Sequence, residues 1–416
     1  MNVLMNAQNL KKDAAYVYSA YALRYLSVIV LIPYYGRVLG PTSYGTVLTA
    51  MSLMALVWIV VNFGFSSTGS RSLAYAADPA SHAQIVSRQL SARLILAPAG
   101  VLIGIFGTLL SPALRSDPWF GVVATLLGFM NSMNLGWFYQ GLRRFRLSLI
   151  FEAMAYPLNV AFIFIFVRNS GDGINALLSV LAASCISAAC AYVVALRIVR
   201  PVALSIRGGI EEIKSASTIF LQGVNAMLMT SGSTYLLSVI STPEQVGYFG
   251  SVEKLISFAL AFLQPAAQVL MPTITHRSKH VPGEAHHLIR KGIAFEMGYG
   301  VCACIGGLIL APYIIPLAFG ARFAPSIEMM RIMVFALPFA AFTHAVGSYV
   351  LLPTKNERLL VIAFVVGNVF NIAMIVVLAG KYGGTGVSVS RVAGECITAF
   401  VLAYLALRAR PNNARL

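Results

Sequence analysis

The 416-residue sequence has little charge. Lys, Arg, Asp and Glu together make up 11% of it, whereas about 25% is usual in soluble domains, and 58% of the residues are hydrophobic. This composition excludes a soluble globular domain. The apolar runs are continuous and lack a period-two alternation, which excludes a transmembrane β-barrel. The remaining class is an all-α polytopic membrane protein.

Acidic residues are scarcer than basic ones, with 14 Asp and Glu against 30 Lys and Arg, a net charge of +16. The placement of the basic residues favours a membrane topology over nucleic-acid binding. With a cytoplasmic N-terminus, 21 of them fall in inside segments, six in outside loops and three within helices. The positive-inside rule therefore predicts that both termini are cytoplasmic, and anionic membrane lipids would reinforce this orientation. No nucleic-acid partner is predicted.

Motifs for metal, redox or enzymatic chemistry are also lacking. The five cysteines fall within predicted helices and match no zinc or redox spacing, so we expect them to pack as small apolar residues. The histidines of the loop "THRSKHVPGEAHHLIRK" have no carboxylate or cysteine set to complete a metal site. "KYGGTG" lacks the Lys-Ser/Thr of a phosphate-binding loop. We therefore predict no cofactor, no metal and no enzymatic activity.

Long apolar stretches are what the sequence has in abundance. A hydrocarbon core of ~30 Å needs about 20 apolar residues per helix. Twelve such stretches are separated by short polar joints. They are residues 14–35, 44–65, 90–111, 118–140, 148–168, 173–196, 216–240, 247–271, 292–317, 326–350, 359–379 and 384–407.

The two halves of the chain resemble each other weakly. "PTSYGTVLTAMSL" at 41–53 aligns with "PEQVGYFGSVEKL" at 243–255, which pairs Pro41 with Pro243 and Gly45 with Gly247. An offset spanning six helices predicts two six-helix bundles related by a parallel pseudo-two-fold repeat, as in some secondary transporters. We expect bundles at 1–204 and 205–416, with substrate between them near the membrane midplane.

Arg24 lies within the first apolar stretch, "VYSAYALRYLSVIVLIPYYG". It is about ten residues inside the predicted helix, roughly 15 Å at 1.5 Å per residue, too deep for its side chain to reach the interface comfortably. A charge at this depth usually faces protein or water. Arg24 is therefore either a cation lining a substrate cavity or part of an internal ion pair.

Other polar residues interrupt the predicted helices. In helix 8, Glu253, Lys254, Gln264 and Gln268 share one side, which favours either a water-facing wall or interhelical hydrogen bonds. In helix 12, Arg391 and Glu395 are four residues apart and can pair on one face. The predicted substrate-binding residues are Arg24, Lys254, Arg391, Asn62, Gln264, Gln268, Asn131 and Asn134. The candidates for binding a coupling ion are Glu253, Glu395 and Glu296, of which Glu296 could instead be merely interfacial.

Several ordered motifs resemble one family. The segments "RVLGPTSYGTV", "FGFSSTGSRSLA", "WFYQGLRRFRL", "YFGSVEKLISF" and "FGARFAPSIEMMRIM" are similar to the polysaccharide-transporter branch of the multidrug/oligosaccharidyl-lipid/polysaccharide (MOP) exporter superfamily. The resemblance implies a V-shaped pair of bundles, as in multidrug and toxin extrusion (MATE) proteins. It also implies a Wzx-type flippase that moves undecaprenyl-pyrophosphate-linked oligosaccharide repeat units for O-antigen, exopolysaccharide or capsule across the bacterial inner membrane.

The same resemblance implies alternating access coupled to a H⁺ or Na⁺ gradient, and polymerase and chain-length proteins as pathway partners. It carries over one residue, Arg24, as a cation of the central cavity. Three alternatives remain open: a cation-coupled multidrug exporter, a lipid-linked peptidoglycan precursor flippase, and a glycan polymerase or ligase. The central cation disfavours a multidrug exporter, and the absence of extra helices disfavours a peptidoglycan precursor flippase. The short outside loops disfavour a polymerase or ligase.

Overall fold

The computed structural model describes residues 7–76, 78–199, 203–280, 282–354 and 356–408, and across these ranges every regular element is helical. Sixteen α-helices follow one another within these ranges. They are α1 (Ala7–Asn62), α2 (Phe65–Tyr75), α3 (Pro79–Leu110), α4 (Pro112–Ser116), α5 (Pro118–Ser132), α6 (Gly136–Gly141), α7 (Phe145–Phe166), α8 (Gly173–Ile198), α9 (Ile206–Met227), α10 (Ser233–Ile240), α11 (Pro243–Ala261), α12 (Leu263–His280), α13 (Pro282–Phe319), α14 (Ser326–Met333), α15 (Ala336–Val346) and α16 (Glu357–Arg408). Short π-helical segments occupy Leu228–Gly232 and Gly347–Leu351, and a 3₁₀ turn occupies Ala321–Phe323.

The predicted all-α membrane fold is confirmed. Eight helical segments of the described chain are long and apolar enough to cross a membrane. Each of the twelve predicted stretches is helical over most of its length, and α1 and α16 each contain two of them. The remaining stretches are single helices or pairs separated by a short break. Several helices extend about ten residues beyond the predicted bounds.

Glycine separates the two helices that are joined in α1 and in α16. Gly40 has φ 72° and ψ 174°, and Gly383 has φ 55° and ψ −134°, conformations that side chains rarely adopt. Pro41 follows Gly40 directly and Pro243 is the first residue of α11. Both prolines therefore stand in the first turn of a helix, where their missing N–H needs no partner.

The described chain divides into two compact units, unit 1 (Met1–Val224) and unit 2 (Asn225–Leu416). Fully buried side chains such as Leu53 and Tyr139 form the interior of unit 1, and Phe249 and Tyr349 do so in unit 2. Large apolar side chains are exposed along the long helices, for example Phe106 of α3. Such exposed apolar surface is the surface that lipid covers in a membrane protein.

Small residues allow α3 and α5 of unit 1 to approach closely. A Cβ at Gly104 would overlap Thr125, and a Cβ at Gly121 would overlap Thr108. Each threonine hydroxyl donates to the carbonyl of the glycine on its own helix, Thr108 to Gly104 at 2.7 Å and Thr125 to Gly121 at 2.8 Å. The hydroxyls are thereby satisfied without water, as helix packing in a membrane requires.

Candidate functional site

Unit 1 encloses a cavity of about 760 Å³. Side chains from α1, α2, α5, α6, α7 and α8 form its wall, together with Asn134 from the α5–α6 connection. The polar residues of the wall are Ser66, Ser67, Ser70, Arg71, Asn131, Asn134, Gln140, Glu152, Ser184 and Ser187, and its aromatic residues are Trp58, Trp137 and Tyr156. The cavity is therefore lined by both hydrogen-bonding groups and aromatic rings.

A break between α5 and α6 contributes one side of this cavity. Helix α5 ends at Ser132, and α6 begins at Gly136, whose backbone N–H donates to Asn134 Oδ1 at 2.7 Å. Ser148 of α7 donates to the Gly136 carbonyl at 3.2 Å. These bonds satisfy backbone groups that the interruption of the helix exposes, as buried polar groups require.

Trp137 is fixed in place from behind the cavity. A Cβ at Gly69 of α2 would lie only 2.6 Å from its ring, so the backbone of α2 packs directly on the indole. The guanidinium of Arg93 lies 5.5 Å from the ring centre, within cation–π range. Arg93 is itself held by its Nε donating to the Ser132 carbonyl at 2.8 Å and its Nη1 donating to Gln89 Oε1 at 2.9 Å.

Several polar side chains of the cavity wall have no protein partner within the described part of the chain. Arg71, Glu152, Ser67, Ser70 and Ser184 make no hydrogen bond or ion pair there. One guanidinium and one carboxylate therefore face the cavity without being paired to each other. The wall offers both donors and acceptors to whatever occupies it.

Asparagines 131 and 134 are the predicted site residues that this cavity contains. Within the described ranges, the side chain of Asn131 has only a weak contact, from its Nδ2 to Met54 Sδ at 3.5 Å, and the side-chain amide nitrogen of Asn134 has no protein partner. The sequence did not single out Trp58, Trp137 or Glu152 for this place. Glu152 could have been identified from the sequence, because it is an acidic residue close to the start of the apolar stretch 148–168.

Unit 2 contains a buried cluster of three charges, which we call the Arg391 cluster: Glu253, Arg391 and Glu395. Arg391 Nη1 lies 3.0 Å from Glu395 Oε1, and Arg391 Nε lies 3.7 Å from Glu253 Oε2. All three side chains are less than 8% exposed. Ser257 donates to Glu253 Oε1 at 3.1 Å. The structure thus pairs Arg391 with Glu395, as their spacing predicts, and adds Glu253 from α11.

A second buried carboxylate of unit 2, Glu296, is held by two residues that sequence reasoning missed. Glu296 Oε2 lies 2.8 Å from His344 Nδ1, and the Tyr349 hydroxyl donates to Glu296 Oε1 at 2.6 Å. Glu296 is fully buried. His344 is an ionisable residue in the apolar stretch "LPFAAFTHAVGSYVL", a signal that could have identified it.

The other predicted site residues do not line the cavity of unit 1 and are not members of the Arg391 cluster. Asn62 is buried and accepts a hydrogen bond from Ser66 at 2.8 Å, one turn further along the chain. Lys254 of α11 and Gln264 of α12 are exposed. The side chains of Arg24 and Gln268 lie outside the described residues. Among the described residues there is no group of three or more His, Cys, Asp or Glu that could hold a metal ion.

Comparison with protein families identifies a matching family model. A model described as "Polysaccharide biosynthesis protein" matches residues 10–277, more than half of the chain. A protein of Shigella dysenteriae named "Putative O-antigen transporter" is 22% identical over 389 residues, covering 92% of this chain and 96% of that one. A protein of Escherichia coli (strain K12) with the same name is 21% identical over 408 residues, covering 96% and 97%.

Solved structures with a similar fold are transporters. The lipid II flippase MurJ has a TM-score of 0.76 at 13% identity, covering 96% of this chain and 88% of that one. A multidrug resistance MATE family transporter of the MOP superfamily, solved in an inward-facing conformation, has a TM-score of 0.65 at 15% identity, covering 92% and 97%. At these identities the likeness concerns the fold.

Proposed function

Because this chain belongs to the polysaccharide biosynthesis protein family, we propose that it is a flippase for lipid-linked oligosaccharides. It is a multi-pass membrane transporter with a MOP-superfamily fold, and not an enzyme. The proposed substrate is an oligosaccharide repeat unit on undecaprenyl pyrophosphate, destined for O-antigen, exopolysaccharide or capsule. Family membership over residues 10–277 is the observation that carries the proposal.

The chemistry of such a substrate explains why a transporter is needed. A pyrophosphate and a string of sugar hydroxyls cannot cross ~30 Å of hydrocarbon unaided, because each would lose its hydration without replacement. A polar path through the protein replaces that hydration while the polyprenyl chain remains in lipid. In this proposal Arg24 neutralises the pyrophosphate.

We place the protein in the bacterial inner membrane with both termini in the cytoplasm. The excess of Lys and Arg in alternate connections supports this orientation. Repeat units assembled on the cytoplasmic leaflet would then be carried outward, to polymerase and chain-length proteins of the same pathway. Membrane lipids contact the exposed apolar surface of the helices.

Alternating access driven by a H⁺ or Na⁺ gradient is proposed for the transport step. The Arg391 cluster is a candidate for the coupling element, because two carboxylates and one guanidinium carry one net negative charge, and a single bound proton makes the cluster neutral. Glu296 with His344 is the second candidate, since the two groups are 2.8 Å apart and can share a proton.

The proposal is tested by deleting the gene in its source strain. We expect lipid-linked repeat units to accumulate on the cytoplasmic face and surface polymer to fall, with recovery on expression of the intact gene. Accessibility of the glycan to an added lectin distinguishes the leaflets in inverted and right-side-out vesicles. Normal surface polymer combined with new sensitivity to cationic drugs would contradict the proposal and favour a multidrug exporter.

A further inference from the structure

We propose that the cavity of unit 1 binds the sugar residues of the transported molecule, as distinct from its pyrophosphate. This assignment rests on the proposed flippase function and adds the part of the substrate that the cavity takes. The chemical class is a short, uncharged oligosaccharide. Three properties of the cavity carry the inference: its unpaired polar groups, its charge balance and its aromatic rings.

The unpaired polar groups match a ligand that both donates and accepts hydrogen bonds. Arg71 offers only donors, Glu152 offers only acceptors when ionised, and Ser67 and Ser184 offer both. None of these four has a protein partner within the described chain. Sugar hydroxyls are donors and acceptors at once, so one ligand can satisfy all four. A ligand with acceptors alone, such as a phosphate, cannot satisfy Glu152.

The charge balance of the wall separates sugar from pyrophosphate. Among the described residues that line it, Arg71 and Glu152 are the only Lys, Arg, Asp or Glu side chains, so this wall carries no net charge when both are ionised. A pyrophosphate is recognised by several cations or by a row of backbone N–H groups. Glu152 would repel such an anion, and Arg71 would similarly oppose an organic cation. A neutral polyhydroxylated ligand meets neither repulsion.

Aromatic rings supply the apolar contacts that a sugar requires. Trp58 and Tyr156 are partly exposed within the cavity wall, and Trp137 is buried beside them with its position set by Gly69 and Arg93. The C–H faces of a pyranose ring are apolar and pack on such rings, while its hydroxyls remain free to bond the polar side chains. About 760 Å³ lies within the range of about 300–1,000 Å³ typical of small-molecule sites, which suits a few sugar residues rather than a polymer.

Tryptophan fluorescence gives a direct test, because two of the three tryptophans lie in this cavity. The third, Trp119, is 69% exposed in the first turn of α5 and does not line the cavity. The full chain is placed in nanodiscs and titrated with the oligosaccharide released by mild acid from lipid-linked repeat units of the source strain. Undecaprenyl pyrophosphate without sugar is titrated in parallel.

We expect the oligosaccharide to change the emission saturably in the unaltered protein and in Trp119→Phe. Trp58→Phe should lower the amplitude by about half, since it removes one of two reporting rings. Asn131→Ala and Glu152→Gln should each weaken oligosaccharide binding about tenfold, the equivalent of one good polar contact. Asn169→Ala and Glu211→Gln, matched changes of exposed residues outside the cavity, should leave the Kd unchanged.

Two outcomes would overturn the assignment. One is saturable binding of the oligosaccharide with the same Kd in Asn131→Ala and Glu152→Gln as in the unaltered protein. The other is an equal tryptophan response to undecaprenyl pyrophosphate lacking sugar. The gene-deletion experiment tests the flippase function separately from these two binding outcomes. Accumulation of repeat units in the deletion strain, with full recovery by the Asn131→Ala, Glu152→Gln double variant, would retain the flippase and reject the cavity as its sugar site.

Discussion

Unit 1 and unit 2 each contain charged side chains within an apolar helical body, but the charged side chains of the unit 1 cavity and those of the Arg391 cluster differ in their partners. In the cavity of unit 1, Arg71 and Glu152 both line the wall, and neither side chain pairs with another described residue. In the Arg391 cluster of unit 2, the guanidinium lies between two carboxylates and all three are buried. In the cavity, the donors and acceptors remain available to a ligand. In the Arg391 cluster, the charged groups interact with each other instead.

The contrast has an energetic consequence. A charged group in contact with a cavity keeps access to water, so altering it changes binding more than folding. A buried charge depends on its partners, because removing one partner leaves the other without compensation. Substitutions in the two places should therefore separate effects on transport from effects on stability.

The largest expected effect is that of Arg391→Ala. It leaves the carboxylates of Glu253 and Glu395 buried without a cation, which lowers the free energy of unfolding by about 3–5 kcal/mol. Thermal unfolding of the purified protein in detergent should show a clear fall in Tm. The triple change Glu253→Gln, Arg391→Met, Glu395→Gln removes all charge and should recover most of the loss. If the triple variant were as unstable as Arg391→Ala, uncompensated buried charge could not be the cause of the destabilisation.

Arg93→Ala should have the next largest effect and would show that unit 1 also contains a buried cation fixed by protein. The Ser132 carbonyl and the Gln89 side chain would lose a donor, at about 1–3 kcal/mol for a buried group left unsatisfied. Arg88→Ala is the matched control, because Arg88 is about half exposed and its contact with Glu211 is 3.9 Å. Equal Tm values for the two variants would show that burial and hydrogen bonding do not make Arg93 more important for stability than the half-exposed Arg88.

Gly383→Ala should lower stability by about 1–2 kcal/mol, the penalty for a side chain at positive φ. Its Cβ would also lie 2.6 Å from Gln245 Oε1, which now accepts the N–H of Gly384 at 3.0 Å. Gly306→Ala in α13 serves as the control, since among the described residues no atom beyond the neighbouring helix backbone lies within 4 Å of its added Cβ. The comparison is made by denaturation in the same detergent, and identical midpoints would argue against strain at Gly383.

The smallest effect on stability is expected for Glu152→Gln. The side chain has no protein partner in the described chain, so the free energy of unfolding should change by less than about 0.5 kcal/mol. Transport should nevertheless fall, as measured by recovery of surface polymer in the deletion strain. A destabilisation comparable to that of Arg93→Ala would mean that Glu152 contributes to folding stability, contrary to the proposed difference between the two units.

Hydropathy located the helices because a membrane-spanning helix must be apolar over about 20 residues. It placed some ends poorly: α13 begins at Pro282 and α3 at Pro79, each about ten residues before the predicted span. Those first turns are polar and lie beyond the apolar window. Asp78, which accepts the N–H of Ser81 at 3.0 Å, is a helix-capping signal that the sequence does contain.

The candidate sites were less predictable than the helices. The pairing of Arg391 with Glu395 follows from a spacing of four residues, whereas the approach of Glu253 depends on how α11 packs against α16. The same holds for the cavity, where Trp58 and Glu152 come from helices whose contacts no local pattern specifies. Polarity within an apolar span indicated that Asn131 and Asn134 were unusual, but not which neighbours would surround them.

Helix α9 runs from Ile206 to Met227, and the boundary between the two units falls within it, after Val224. Near its start Glu212 accepts hydrogen bonds from Thr68 at 2.6 Å and Gln89 at 2.7 Å, which bind this end of α9 to unit 1. The consequence concerns how the gene can be divided. A first fragment that ends after α9 should fold better than one that ends before Glu212, because the shorter fragment lacks the carboxylate that accepts hydrogen bonds from Thr68 and Gln89.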